Sequence, residues 1–328
     1  MGSAAGLLIN GSVNNGASTP FAQARAFGTN RPNQRSLYTY ASGVQLGNSA
    51  WDARTHSLTG LPTASTSYTD AQFLGTFQGP FRLPRVRNQL NVFFGYQGTS
   101  DHNAITQGTV VPTALERAGD FSQTLNAVNA PVTIVDPLTG LPFPGNRIPH
   151  ERISPQAAAL LGYYPLPDGG ESGRFNYQTP IVTATRQDSV QSRFTQSPTN
   201  RMQLNAIVNY QRGSTDSNTI FGFPNSRENS GLDTQANWSY RLSQFMNLRA
   251  RYQFTRQSNT TLPYFSNLTN VSAEAGIRGN NQDPINWGPP SLVFASDVAG
   301  LSDVRYADTR NATHAWSGEA LRFGGRHT

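Results

Sequence analysis

The chain has 328 residues, 36% of them hydrophobic and 13% charged, with 30 Gly and 21 Pro, so Asn, Gln, Ser and Thr supply most of its polar surface. That composition disfavours a helical bundle, which draws on Ala, Leu, Glu and Lys. All 25 basic residues are Arg, and the net charge of +6 is scattered instead of gathered into a basic arm, so nucleic acid is not an expected partner. With no Cys, disulfides, thiolate metal sites and thiol nucleophiles are excluded.

Met1 to Asn10 (MGSAAGLLIN) sets no basic residue before a short apolar run, Leu7 to Ile9, which is not the pattern of an export signal. No apolar run reaches the roughly 20 residues of a transmembrane helix. A membrane-spanning form of this chain would therefore have to be a β-barrel. Candidate strands follow in order at Ser36 to Leu46, at Ala71, Phe73, Gly75 and Phe77, and at Leu90, Val92, Phe94 and Tyr96.

A long excursion from Gly98 to Arg186 comes next, too large to be structureless in a compact domain. Within it Ser154 reads as an N-cap, Pro155 as the first helical position and Pro165 as the stop, which predicts a short helix near 154–164. Ala157, Leu160, Leu161 and Tyr164 would share its apolar side. A further candidate strand contains Val190, Ser192 and Phe194.

The clearest periodicity lies between Arg201 and Arg256. Met202, Leu204, Ala206, Val208 and Tyr210 share one face of the first segment, Leu232, Ala236, Trp238, Tyr240 and Leu242 one face of the second, and Met246, Leu248, Ala250, Tyr252 and Phe254 one face of the third. The intervening positions are polar except Ile207, so each segment is a strand with one wet and one apolar face. Such lengths match the roughly 9 to 11 residues a tilted strand needs to cross a bilayer. A last, weaker strand covers Asn311 to Phe323.

Connections alternate between short (Gly79 to Asn88, Gln196 to Asn200, Ser243 to Phe245) and long (Gly98 to Arg186, Arg212 to Gly231, Gln257 to Arg310). Outer-membrane barrels carry short periplasmic turns and long outer loops. Tyr96, Tyr210, Tyr252 and Phe254 then fall near the outer edge, and Trp238 and Tyr240 near the inner one, as interfacial girdles require. A soluble β-sandwich shares the alternation but turns its apolar face inward.

Catalytic signatures are lacking. His56, His102, His150, His314 and His327 have no partner at metal-ligand spacing, and there is no GxGxxG, phosphate loop or GxSxG. Asp101, Glu116, Asp120, Asp136 and Glu151 fall in the long excursion, where any two could form a glycosidase pair only at a suitable separation. An enzyme is not expected, and no catalytic, metal, cofactor or ligand-binding residue is assigned. Arg193, Arg241, Arg249 and Arg251 fall on the wet face, where rings of Arg attract anions. The favoured reading pairs them with Asp, Asn or Gln across that wall.

NVFFGYQGT (Asn91 to Thr99), VPTALERAGDFSQ (Val111 to Gln123) and VDPLTGLPFPGNRIPHERISPQAAALLGYYPLPD (Val135 to Asp168) resemble the barrel region of Oar-like TonB-dependent receptors of acidobacterial type, proteins with a carboxypeptidase-regulatory-like N-terminal domain. LINGSVNNG (Leu8 to Gly16), WDARTHSLTG (Trp51 to Gly60), NNQDPINWGPPSLVF (Asn280 to Phe294) and GRHT (Gly325 to Thr328) extend the likeness over nearly the whole chain. The resemblance implies an antiparallel barrel of about 22 strands around a plug. It also implies import of an unidentified solute across the outer membrane, with outer-membrane lipid around the barrel and an inner-membrane TonB protein as energy-coupling partner.

Plug, TonB box, regulatory domain and aromatic C-terminal strand have no recognisable counterpart here. Residues 1–328 are therefore expected to form an internal, unclosed part of an all-β transmembrane barrel, with the insertion at about 98–186, in a parent of the cell outer membrane. The alternative is a non-transporting surface or secreted β-protein that binds glycans or partners through its long loops.

Overall fold

The computed structural model describes residues 37–52, 67–82, 88–126, 130–168, 175–294 and 298–322. Met1 to Asn10, Leu8 to Gly16, most of Trp51 to Gly60 and Gly325 to Thr328 lie outside the described residues. Strands β1 (Thr39–Asn48), β2 (Ser67–Phe81), β3 (Leu90–Thr109), β4 (Tyr177–Thr199), β5 (Met202–Asn218), β6 (Pro224–Ser243), β7 (Met246–Leu262) and β8 (Ala307–Arg322) form one sheet in chain order. Every neighbouring pair is antiparallel, and β1 and β8 are its two edges, so the sheet is open. Among the described residues no helix is long and apolar enough to cross a membrane.

Register shows what the apolar alternation is for, because a slip of one residue would send every side chain to the opposite face. Tyr40 faces Phe77, Phe77 faces Phe94, Val92 faces Phe194 and Phe194 faces Ala206. Leu204 then faces Trp238, Tyr240 faces Leu248, and Tyr252 faces Trp316. One continuous apolar face thus runs from β1 to β8. Within the band Tyr96 and Tyr210 both lie opposite Val190, toward the long loops, while Trp238 and Tyr240 stack 5.9 Å apart near the tight turns.

That apolar face is not the core. The buried apolar residues Val111, Leu160, Tyr164, Phe223, Phe265, Val271, Ala275 and Leu301 all belong to connections, whereas Tyr40, Val44, Leu46 and Trp316 on the strands are well exposed. A sandwich would bury this face against a second sheet. Here its only suitable solvent is lipid, which excludes the sandwich.

The strands run past the bilayer at the long-loop end, where the connections are shorter than their sequence reads. β3 continues to Thr109 and β4 starts at Tyr177, so the expected Gly98 to Arg186 excursion contracts to 110–176. Arg212 to Gly231, expected as a long loop, is mostly strand, leaving only 219–223 between β5 and β6. Gln257 to Arg310 likewise contracts to 263–306. Above the membrane both faces of a hairpin meet water, so the two-residue alternation vanishes while the backbone ladder continues from the amphipathic part.

Candidate functional site

At the long-loop end, three connections fold together into a cap. The 110–176 segment contains α1 (Ala114–Arg117), closed by a Thr113–Glu116 capping box, and α2 (Pro155–Leu161), whose N-cap Ser154 accepts from Ala157 N at 3.4 Å. α2 ends sooner than expected and leaves Ala157 in solvent, while Leu160 and Tyr164 enter the core. A seven-residue helix offers too few turns to bury a whole stripe. The 263–306 connection carries α3 (Val271–Glu274).

Rings from all three connections meet in the cap. Phe223 packs edge-on against Phe265 at 4.8 Å between centroids, Tyr163 approaches Phe265 at 5.9 Å, and Tyr164 approaches Phe221 at 5.0 Å. Tyr164 Oη donates to Ala299 O at 2.9 Å, and Ala299 N donates to Val110 O at 2.9 Å. Asn176 clamps Val111 with two bonds of 2.8 Å, accepting from its N–H and donating to its carbonyl. The aromatic runs at 220–223 and 263–265 are the sequence signal for this core, isolated apolar patches inside polar stretches.

The loop carboxylates serve this architecture. Glu116 closes the capping box, Asp120 pairs with Arg147 at 3.0 Å, and Asp136 pairs with Arg152 at 2.8 Å. The Arg152 guanidinium and the Leu138 N–H hold the Asp136 carboxyl below the usual carboxylate range. Bonds from Ser122, with Arg147 beside them, lower Asp120 similarly. Asp101 is not in the loop at all but in β3, opposite Asp70, because β3 is longer than its apolar stretch. Among the described residues no three His, Asp or Glu side chains form a metal-ligand group.

The second surface is the polar inner wall. Arg249 reaches Glu319 at 3.8 Å with both side chains largely exposed, and Arg251 Nη2 donates to Gln253 Oε1 at 3.1 Å. With its amide oxygen turned toward β7, Gln235 accepts from Arg251 Nε at 2.8 Å. Arg193 faces Ile207 and Phe93, and Arg241 faces Asn247. Asp233, two inward positions beyond Arg251 toward the cap, accepts from Gln253 at 2.9 Å. The wall therefore brings Arg241, Arg249 and Arg251 together, with Arg251 held by amides and Arg249 set against a carboxylate.

Two depressions shape it. One of about 420 Å³ is lined by Gln203, Asn205, Asn237, Arg249, Arg251 and Glu319, among others. A neighbouring one of about 360 Å³ shares Gln203, Ser239 and Arg249 and adds Arg201, Arg241 and Asn247. Asn205 Nδ2 donates to Thr195 at 3.3 Å, while its shielded Oδ1 finds no partner among the described residues.

A lipid-facing apolar band, a polar inner wall, tight turns at one end and folded loops at the other define the wall of an antiparallel transmembrane barrel. The outer membrane beta barrel domain family matches residues 45–328, and the chain belongs to it. Comparison with curated proteins and with solved structures gives no match.

Proposed function

We propose that this chain is part of the barrel of an Oar-like TonB-dependent receptor, importing a solute across the outer membrane with energy supplied by an inner-membrane TonB protein. The observation that carries the reading is the cap: three connections share one apolar core, which gives the outer mouth a pre-organised vestibule. The likeness of Val135 to Asp168 to those receptors supports it independently. On this reading the protein acts by binding and passage.

Energised cells producing the intact protein supply the test. The protein should need detergent for extraction and should form a site-specific cross-link with TonB. Recovery in the soluble fraction, or no cross-link, would overturn the proposal. A second reading, a surface protein that binds through its loops without transport, is favoured by the hairpin at 135–142. It exposes Leu138 at 80% and Leu141 at 66% on a base fixed by Asp136 and Arg152.

A further inference from the structure

We infer that the inner wall of β4 to β8, near the tight turns, binds the oxyanionic group of the transported solute, a carboxylate or a phosphate. The inference rests on the import reading for the solute's passage, and on the wall's own chemistry for its binding.

Charge is segregated along this wall. Toward the tight turns Arg193, Arg241, Arg249 and Arg251 share the inward face, with Glu319 set against Arg249 and Asp233 two inward positions above Arg251, reached through Gln253. Arg251 is held by the amide oxygens of Gln235 and Gln253, which fix the guanidinium plane and leave its charge uncancelled. A planar, oriented guanidinium is the donor best matched to a carboxylate or phosphate edge.

The strands that carry these arginines turn an apolar face to lipid on their other side, with Ala250 and Tyr252 alternating with Arg249 and Arg251. A low-dielectric backing focuses the field of a predominantly basic wall into the aqueous side. The two depressions meet at Arg249 and are large enough for a small polyanion, with Gln203 and Asn237 to complete its hydrogen bonds. Glu319 is then an internal counter-ion that an incoming oxyanion displaces from Arg249.

Titration calorimetry on the intact protein in detergent at low salt tests this, with citrate, inorganic phosphate and the neutral sugar N-acetylglucosamine as probes. Citrate, phosphate or both should bind and the neutral sugar should not; which anion binds identifies the solute group. R249Q/R251Q should weaken anion binding about tenfold or more, and R249K/R251K should restore part of it. E319Q should tighten binding about threefold, a gain that misfolding does not produce.

No anion binding by the wild type, or equal binding by a folded R249Q/R251Q variant, overturns the inference. So does binding of an acidic peptide without citrate or phosphate, which would make the wall a protein-docking surface. A TonB cross-link that persists without anion binding leaves the import reading standing and removes only this one.

Discussion

Asp136 shows how a single carboxylate holds an outer loop in shape. It pairs with Arg152 at 2.8 Å, accepts from Leu138 N at 2.9 Å, and lies under the turn where Gly140 takes a φ of +70°. Because its folded pKa is depressed, its contribution is present above the unfolded value of about 4 and is lost as pH falls through the folded one. The 110–176 segment should therefore become protease-sensitive on acidification below about pH 4, and D136N should show that sensitivity already at pH 7. Limited proteolysis across a pH series reads both. Asp303 has the opposite sign: burial pushes its carboxyl up, and Oδ2 has no hydrogen-bond partner among the described residues. Folding contributions from a raised carboxylate are present at low pH and lost as pH rises through the folded pKa. D303N should thus slow amide exchange in the 263–306 connection at neutral pH. Leu301, at 0% exposure, is the cap's most enclosed side chain, and L301A should cost the cap about 2–5 kcal/mol. Exchange protection of 263–306 and 219–223 should fall together, since both segments share the core that Leu301 helps fill.

At the scale of the strand, one residue separates lipid from water. Ala236 lies on the apolar face between Ala206 and Tyr252, and Asn237 on the wet face between Asn205 and Arg251. A236R should destabilise the folded barrel by about 2–4 kcal/mol, the range for a charge near the bilayer midplane. N209R, on the wet face directly opposite Asp233, should be nearly neutral to folding, and denaturant titration of both variants in lipid vesicles compares them directly. Gly79 marks another constraint on this face: a Cβ there would run into the Tyr38 ring, which lies across it and stacks on Phe77 at 6.1 Å. These faces were legible in the sequence because lipid imposes a period of two on every strand that crosses it, as in Met202 to Tyr210. The upper parts of the same strands were not, since QRGSTDSN after Tyr210 and PNSRENSG before Leu232 have water on both faces and read as loop. The helix at Pro155–Leu161 was legible from its cap and its proline, both local signals. Its partners were not, because Phe223 and Leu301 reach the same core only through hairpins of quite different length. Pairing of an inner-wall arginine with Gln was foreseen in kind for Arg251, whereas Arg249 meets Glu319 instead of an Asp, Asn or Gln; both choices depend on register, which composition does not fix.

For the whole molecule, the open sheet poses the physical question of what pairs its edges. Unsatisfied backbone groups in lipid cost several kcal/mol each, so β1 and β8 must both be paired when the wall is in a membrane. Direct closure of β1 onto β8 would give an eight-stranded barrel, whose interior is just wide enough for its own side chains. In the structure β1 and β8 are the unpaired edges of an open sheet, and three connections share one cap above it. A wall of this shape fits a wider barrel in which β1 and β8 are well separated. The absence of Cys makes this measurable, because an introduced pair would be the sole thiols in residues 1–328. Ser42 and Ala312 share one hydrogen-bonded row of the outward face, linked step by step through Gly75, Tyr96, Val190, Tyr210, Leu232 and Arg256. Closing a barrel staggers such a row by its shear, so a direct β1–β8 pair would set Ser42 against a β8 residue several positions from Ala312. In the membrane-inserted intact protein, S42C should form no disulfide under oxidation with a cysteine placed in turn at each outward position from Asp308 to Arg322, whereas S42C/G75C across the β1–β2 pair should cross-link readily. A disulfide from position 42 to β8 would mean that β1 and β8 are neighbours, and the wider barrel, with the solute path argued from it, would have to be given up.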